Sequence, residues 1–181
     1  MAQIEGDRLT LSIGEHDAAQ LVEQGTNAAV ADAPYRDLTV TVDIQPELGT
    51  VQVDGQRLSQ AVANLVRNAI RFTPDGGYID VAARRDEEQL VIEVRDTGVG
   101  IAEEKKKHLF SRSSVLRDSL NHHSSSTLEF NSAGLGLGLL IVSGIVEAHG
   151  GAVGVESRPG QGSTFVIRVP ADCPARLSEA A

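Results

Sequence analysis

The sequence predicts an α/β (α+β) protein built as a two-layer sandwich, with one mixed sheet carrying its helices on a single face. Three observations lead there. Segments 38–44, 78–83, 89–95 and 163–169 are apolar and β-branched, with the alternation clearest at Leu38, Val40, Val42 and Ile44, the pattern of strands with a buried face. Two further segments, 56–72 and 136–148, are helical and apolar enough to cover such a sheet. At 181 residues, 41% of them apolar, the chain is long enough for one domain with a full core.

The elements follow in order. Leu9, Leu11 and Ile13 alternate as a short opening strand, and 15–30 reads as a helix with Ala18, Leu21, Val22 and Ala29 near helical spacing. The strand at 38–44 is bounded by Pro46. A second short strand, 51–53, ends at Asp54, a good helix N-cap. The helix 56–72 carries an apolar stripe of Leu58, Ala61, Val62, Leu65, Ala69 and Phe72, and Thr73-Pro74-Asp75-Gly76-Gly77 stops it. Strands 78–83 and 89–95 pair around the polar turn 84–88. The helix 136–148 closes on His149-Gly150-Gly151, where a histidine meets the helix dipole favourably. Strands 152–156 and 163–169 flank the turn Arg158-Pro-Gly-Gln-Gly162. Between Phe110 and Ser132 neither period is clear, and the serine-rich stretch around His122 and His123 reads as a mobile loop. The division is therefore a single domain over 1–170, with a loop at 111–133 and a loose tail at 171–181.

Composition narrows the function. Net charge is −9 with only 3% aromatics and no basic run, which argues against nucleic acid as a partner. Cys173 is the sole cysteine, so an internal disulfide and a cysteine-cluster zinc site are excluded. No signal pattern opens the chain and no apolar run is long enough to span a membrane, which together suggest the cytoplasm. An acidic protein still binds a polyphosphate when backbone N–H groups and a divalent cation carry the attraction.

Four segments have that chemistry. Asn64, Arg67, Asn68 and Arg71 fall at i, i+3, i+4 and i+7, on the helix face opposite the apolar stripe. Carboxamide oxygens suit Mg²⁺, and arginines meet phosphates; the plainer reading is a solvated helix face. Asp96 continues the buried face of Leu90, Ile92 and Val94, where a carboxylate needs a partner such as an exocyclic amine. Gly98 and Gly100 after it allow close approach of a flat base; an ordinary Asp-Gly turn is the alternative. Gly134, Gly136 and Gly138 lead into an apolar helix and expose its N-terminal N–H groups to an anion, though close helix packing also explains such glycines. Neither a Gly-x-Gly-x-x-Gly spacing nor a Walker lysine is present. Gly160, Gly162, Ser163 and Thr164 form the last segment, for which a plain hairpin turn is nearly as good an account.

Taken in this order, the four segments resemble the nucleotide-binding fold shared by histidine kinases, the gyrase B subunit, MutL and heat-shock chaperones, from about Arg8 to Pro170. The resemblance is nearest to the histidine-kinase catalytic domain. It implies a Bergerat-type ATP-binding fold with ATP and Mg²⁺ as cofactors, and 111–133 as the ATP lid. It implies that Asn68 holds Mg²⁺, that Asn64 supports it, and that Arg71 stands where the family has a lysine near the phosphates. Asp96 would bond adenine, with Gly98, Gly100, Ile101 and Phe110 around the base. Gly134, Leu135, Gly136 and Leu137 would meet the phosphates, and the Thr164 hydroxyl would reach adenine through water. Three departures fall on the lid: Ser113 in place of an aromatic residue, Ser132-Ala133 where glycine is favoured, and a longer intervening loop.

The resemblance further implies a two-component sensor kinase domain that transfers the ATP γ-phosphoryl group to a histidine. No segment resembles the family's phosphoacceptor helix, so that histidine is expected on a separate dimerisation domain, with a response regulator downstream. The isolated domain is expected to be a monomer. A nucleotide-binding module with lost catalysis and a serine kinase acting on a regulatory protein are the alternatives. Asn64 also separates the chain from gyrase-like ATPases, which resemble it but place a water-activating glutamate there; an amide does not accept that proton.

Overall fold

A computed structural model describes residues 9–110 and 135–173, the side chains of 135–137 excepted. Along these residues run β1 (Gly14–Asp17), α1 (Ala18–Ala31), β2 (Thr39–Ile44), β3 (Thr50–Val53), α2 (Gly55–Phe72), β4 (Tyr78–Asp86) and β5 (Gln89–Asp96). There follow α3 (Glu103–Lys106), α4 (Leu135–Ala148), β6 (Ala152–Ser157) and β7 (Ser163–Pro170). Five strands form a mixed sheet in the order β2-β4-β5-β7-β6, with β2 parallel to β4 and the other pairs antiparallel; β1 and β3 pair apart from it. This is the expected two-layer sandwich.

Period two explains the layers. Ile79, Val81 and Ala83 of β4, Leu90, Ile92 and Val94 of β5, and Phe165, Ile167 and Val169 of β7 share the inner face and are buried. The outer face carries charge: Arg84 pairs with Asp86 and Glu93, and Arg168 with Asp86. On the inner face α2 lies centrally, with α1 on one flank and α4 on the other. Asp54 caps α2 by accepting the Arg57 N–H at 3.1 Å, and Asp17 caps α1 through the Gln20 N–H at 2.9 Å. The α1–α2 approach is close because Gly25 has no side chain; a Cβ there would lie 2.6 Å from the Ser59 carbonyl oxygen.

Three sequence expectations are corrected. Residues 9–13 form no strand: Leu11 and Ile13 pack on the core, but the Ser12 N–H goes to Asp54 Oδ2 at 2.9 Å instead of to a ladder. Residues 15–17, read as the start of a helix, belong instead to β1, which pairs with β3, so α1 begins only after its Asp17 cap. The tail is not loose over 171–173. Ala171 and Cys173 are buried, the Gln52 N–H donates to the Ala171 carbonyl at 2.8 Å, and the Cys173 N–H donates to the Gln52 carbonyl at 2.9 Å.

His149, at the end of α4, is 1% exposed. Its Nε2 accepts the Asp54 N–H at 3.0 Å, and its Nδ1 lies 2.8 Å from the Ile145 carbonyl oxygen. A backbone N–H only donates and a carbonyl only accepts, so Nε2 is bare and Nδ1 carries the proton. The ring ties α4 to the start of α2 through Nε2, while its Nδ1–H meets a carbonyl at the end of α4, the favourable contact with the helix end expected from sequence.

Candidate functional site

The site has an acidic end and an amide end. The acidic end is built where three backbones meet beyond the last turn of α2. Asp96, the final residue of β5, keeps to the inner face and is 5% exposed. Its Oδ1 accepts the Gly98 N–H at 2.8 Å and the Ser163 N–H at 3.3 Å. Burial pushes its carboxyl pKa above the usual carboxylate range, and the two N–H donors only partly offset that.

The glycines here answer to the protein's own backbone. A Cβ on Gly98 would lie 2.4 Å from the Phe72 carbonyl oxygen, and one on Gly100, at φ +67, would lie 1.9 Å from that of Arg158. Gly162, at φ +79, faces the Asp96 carbonyl oxygen in the same way at 1.9 Å. In the direction where a side chain would grow, each of these glycines is met by the protein's own chain. Ile101 is half-buried and donates its N–H to Ser157 Oγ at 2.8 Å. Phe110, also half-buried, meets Phe165 edge to face at 6.5 Å between centroids. A cleft of about 740 Å³ opens at this end, lined by Asp96, Ile101, Lys106, Ser157, Gly162 and Ser163 among others.

Thr164 lines the same cleft but does not stand beside Asp96. The register pairs Asp96 with Ser163 and Arg95 with Thr164, so the Thr164 side chain stands with Arg95 on the outer face of the sheet. Ser163 is the hydroxyl residue beside Asp96. The sequence held the signal: Ser163 continues the parity of Phe165, Ile167 and Val169, and Thr164 does not.

At the amide end, α2 presents Asn64 and Asn68 one turn apart. The sequence reading sets them on the face opposite the apolar stripe, with a solvated face as the plainer alternative; α4 packs across that face and leaves Asn68 only 8% exposed. A Cβ on Gly138 would sit 3.8 Å from Asn68 Oδ1, so the first turns of α4 lie over this amide. The Nδ2 atoms of Asn64 and Asn68 are both buried without a hydrogen-bond partner among the described residues. Buried polar groups are normally paired, and each orphan costs about 1–3 kcal/mol. Asn64 Oδ1 accepts weakly from Arg67 Nη1 at 3.4 Å, while Arg67 Nε pairs with Asp32 at 2.8 Å. Arg67 is thereby engaged with α1, whereas Arg71 is exposed, with its guanidinium 5.6 Å from the Phe72 ring centroid. The backbone of Leu135, Gly136 and Leu137 forms the first turn of α4, whose free N–H groups face outward from the helix start. Gly134 and the expected lid at 111–133 lie outside the described residues. Among the described residues no group of three His, Cys, Asp or Glu side chains is placed to hold a metal.

A profile of the "Histidine kinase-, DNA gyrase B-, and HSP90-like ATPase" family matches residues 53–172, two thirds of the chain. The chain belongs to this family. Among its relatives, the sensor protein DivL of Caulobacter vibrioides is 36% identical over 94% of this chain and 20% of its own length. Histidine protein kinase DivJ of the same organism is 36% identical over 94% of this chain and 27% of its own. The chain thus spans about a quarter of the curated relatives it matches. Full-length ShkA, solved in complex with AMPPNP, superposes with a TM-score of 0.74 at 28% identity, over 91% of this chain and 32% of that one. The catalytic domain of histidine kinase ThkA superposes with a TM-score of 0.72 at 24% identity, over 92% of this chain and all of that one.

For an ATPase of this family the orphaned amides fit a triphosphate. Their Nδ2 groups are donors without acceptors, and phosphate oxygens are acceptors. Asn68 Oδ1, nearest the start of α4, is the neutral oxygen ligand that Mg²⁺ accepts beside phosphates and water. Two residues that sequence reasoning missed, Ser157 and Ser163, complete the acidic end.

Proposed function

We propose that this chain is the ATP–Mg²⁺-binding catalytic domain of a two-component sensor histidine kinase, delivering the γ-phosphoryl group to a histidine on a separate dimerisation domain. The observation that carries the reading is the pair of amides on α2 whose Nδ2 groups are buried without a partner among the described residues, set apart from the buried carboxylate of Asp96. Asp96 is the acceptor for the adenine amine, held in place by the Gly98 and Ser163 N–H groups. Asn64 and Asn68 hold the phosphates and the metal, and the first turn of α4 supplies N–H donors to the same anion. Exposed Arg71 adds positive charge where the phosphates would lie. Mg²⁺ when bound would neutralise the triphosphate and hold it for in-line displacement.

The chain's own residues bind and orient the nucleotide. Asn64 is an amide, and a phosphoacceptor imidazole is already a nucleophile, so phosphoryl transfer by positioning and charge is the chemistry this set supports. A response regulator would receive the phosphate downstream. Incubating the protein with labelled ATP, Mg²⁺ and a histidine-bearing dimerisation domain tests the assignment. Acid-labile, base-stable label on the partner and slow ATP hydrolysis by the chain alone are expected. Acid-stable label would point to the serine-kinase alternative, and hydrolysis of several ATP per second without a partner would contradict the reading.

A further inference from the structure

Behind the acidic end lies a small hydroxyl network. Ser157, the last residue of β6, is 9% exposed and its Oγ makes three contacts. It accepts the Ile101 N–H at 2.8 Å, lies 2.8 Å from the Gly162 carbonyl oxygen, and lies 2.9 Å from Ser163 Oγ. A hydroxyl has one proton. The Gly162 carbonyl can only accept, so the Ser157 proton goes there, and the contact with Ser163 is made by the Ser163 proton pointing back at Ser157. Ser163 is left with lone pairs alone to offer the cleft that it lines together with Asp96. Asp96, with Oδ1 already receiving two N–H groups, also offers only acceptor oxygens.

We propose that Ser157 is a positioning residue for base selection: by fixing the Ser163 proton away from the cleft, it leaves the Ser163 oxygen beside Asp96 to accept hydrogen bonds and not donate them, favouring a 6-amino over a 6-oxo purine. The proposal rests on the reading of Asp96 as the base-binding carboxylate. It also explains why a residue that points at backbone is a serine, since alanine would leave the Ile101 N–H and the Gly162 carbonyl without their partner and free the Ser163 hydroxyl to turn. A site of fixed hydrogen-bond polarity rejects the wrong partner because its own groups are then left unpaired.

Affinities for Mg²⁺–ATP and Mg²⁺–ITP, which differ at the 6 position and N1, measure this directly by titration calorimetry. The wild-type chain is expected to favour ATP. Ser157→Ala should lower the ATP-to-ITP affinity ratio about five-fold, the worth of one neutral hydrogen bond. Ser157→Thr, which keeps the hydroxyl, should restore the ratio. Ser163→Ala removes the oxygen itself and should lower the ratio similarly, so the outcome does not hinge on one variant folding. Weakening of both nucleotides by the same factor in the alanine variants, with the ratio unchanged, overturns the proposal. A wild-type chain that binds neither nucleotide overturns the reading of the site as well, a result distinct from the first.

Discussion

Truncating Asn68 to alanine should stabilise the protein without nucleotide while abolishing stabilisation by it. Asn68 Nδ2 is buried without a partner among the described residues, and an orphan of that kind costs about 1–3 kcal/mol. Alanine also improves helix propensity in α2 by about 0.5 kcal/mol. Looser packing around the truncated side chain takes back about 1 kcal/mol. The net gain is about 0.5–2.5 kcal/mol, a rise in Tm of about 1–10 °C for a chain of this size. In the other direction, nucleotide at a hundred times its Kd stabilises the wild-type fold by about 2.7 kcal/mol, and the variant should lose most of that. Thermal unfolding of both proteins with and without ATP and Mg²⁺ reads all four states. If Asn68→Ala lowers Tm in the absence of nucleotide, the amide has a structural partner and is no orphan; if the variant keeps the full nucleotide shift, Asn68 does not touch the ligand.

Three further outcomes follow from the same geometry. The raised carboxyl of Asp96 favours its neutral form in the fold, so its contribution is most favourable at acid pH and is lost as pH climbs through the ordinary carboxylate value toward the raised one. Asp96→Asn should therefore gain about 1 kcal/mol at pH 7 while losing ATP binding; Tm-against-pH curves that run parallel in the two proteins would refute the burial of this charge as the cause. Gly162→Ala, whose Cβ would lie 1.9 Å from the Asp96 carbonyl oxygen, should be far more damaging than Gly76→Ala, at φ +85 with nothing within 4 Å. Costs above about 3 kcal/mol and near 1 kcal/mol are expected, and equal urea midpoints for the two variants would contradict the close approach. His149→Phe removes the acceptor of the buried Asp54 N–H and should cost about 2–4 kcal/mol, checked by urea unfolding; an unchanged midpoint would show that the α4–α2 tie carries no weight.

Much of this arrangement was legible in the sequence because it rests on local periodicity. The inner-face strands, α2 with its Asp54 cap, and the parity that buries Asp96 all follow from spacing. What spacing did not disclose is which faces are covered twice. Ala63, Val66 and Ile70 lie outside the apolar stripe of α2 and are buried, a sign in the sequence that a helix packs on that flank, but Asn68 lies on the opposite flank, where α2 carries no such apolar sign of cover. Ser163 was missed because a glycine-box reading overrode strand parity. The roles of Gly98, Gly100 and Gly162 needed contacts far apart in sequence, since each meets a carbonyl from another segment. The pairing of 14–17 with β3, and of 171–173 with Gln52, likewise depends on partners that no local pattern names.

The imidazole of His149 anchors one extremity of α4 and leaves the other over the amides. Its 14 residues make a rod about 21 Å long, so a tilt of about 5° about the anchored tip swings the opposite tip by about 2 Å. That displacement is two thirds of a hydrogen-bond length. On the proposed reading, a shift of that size would make or break the hold of the α4 tip on a triphosphate while the pivot stays still.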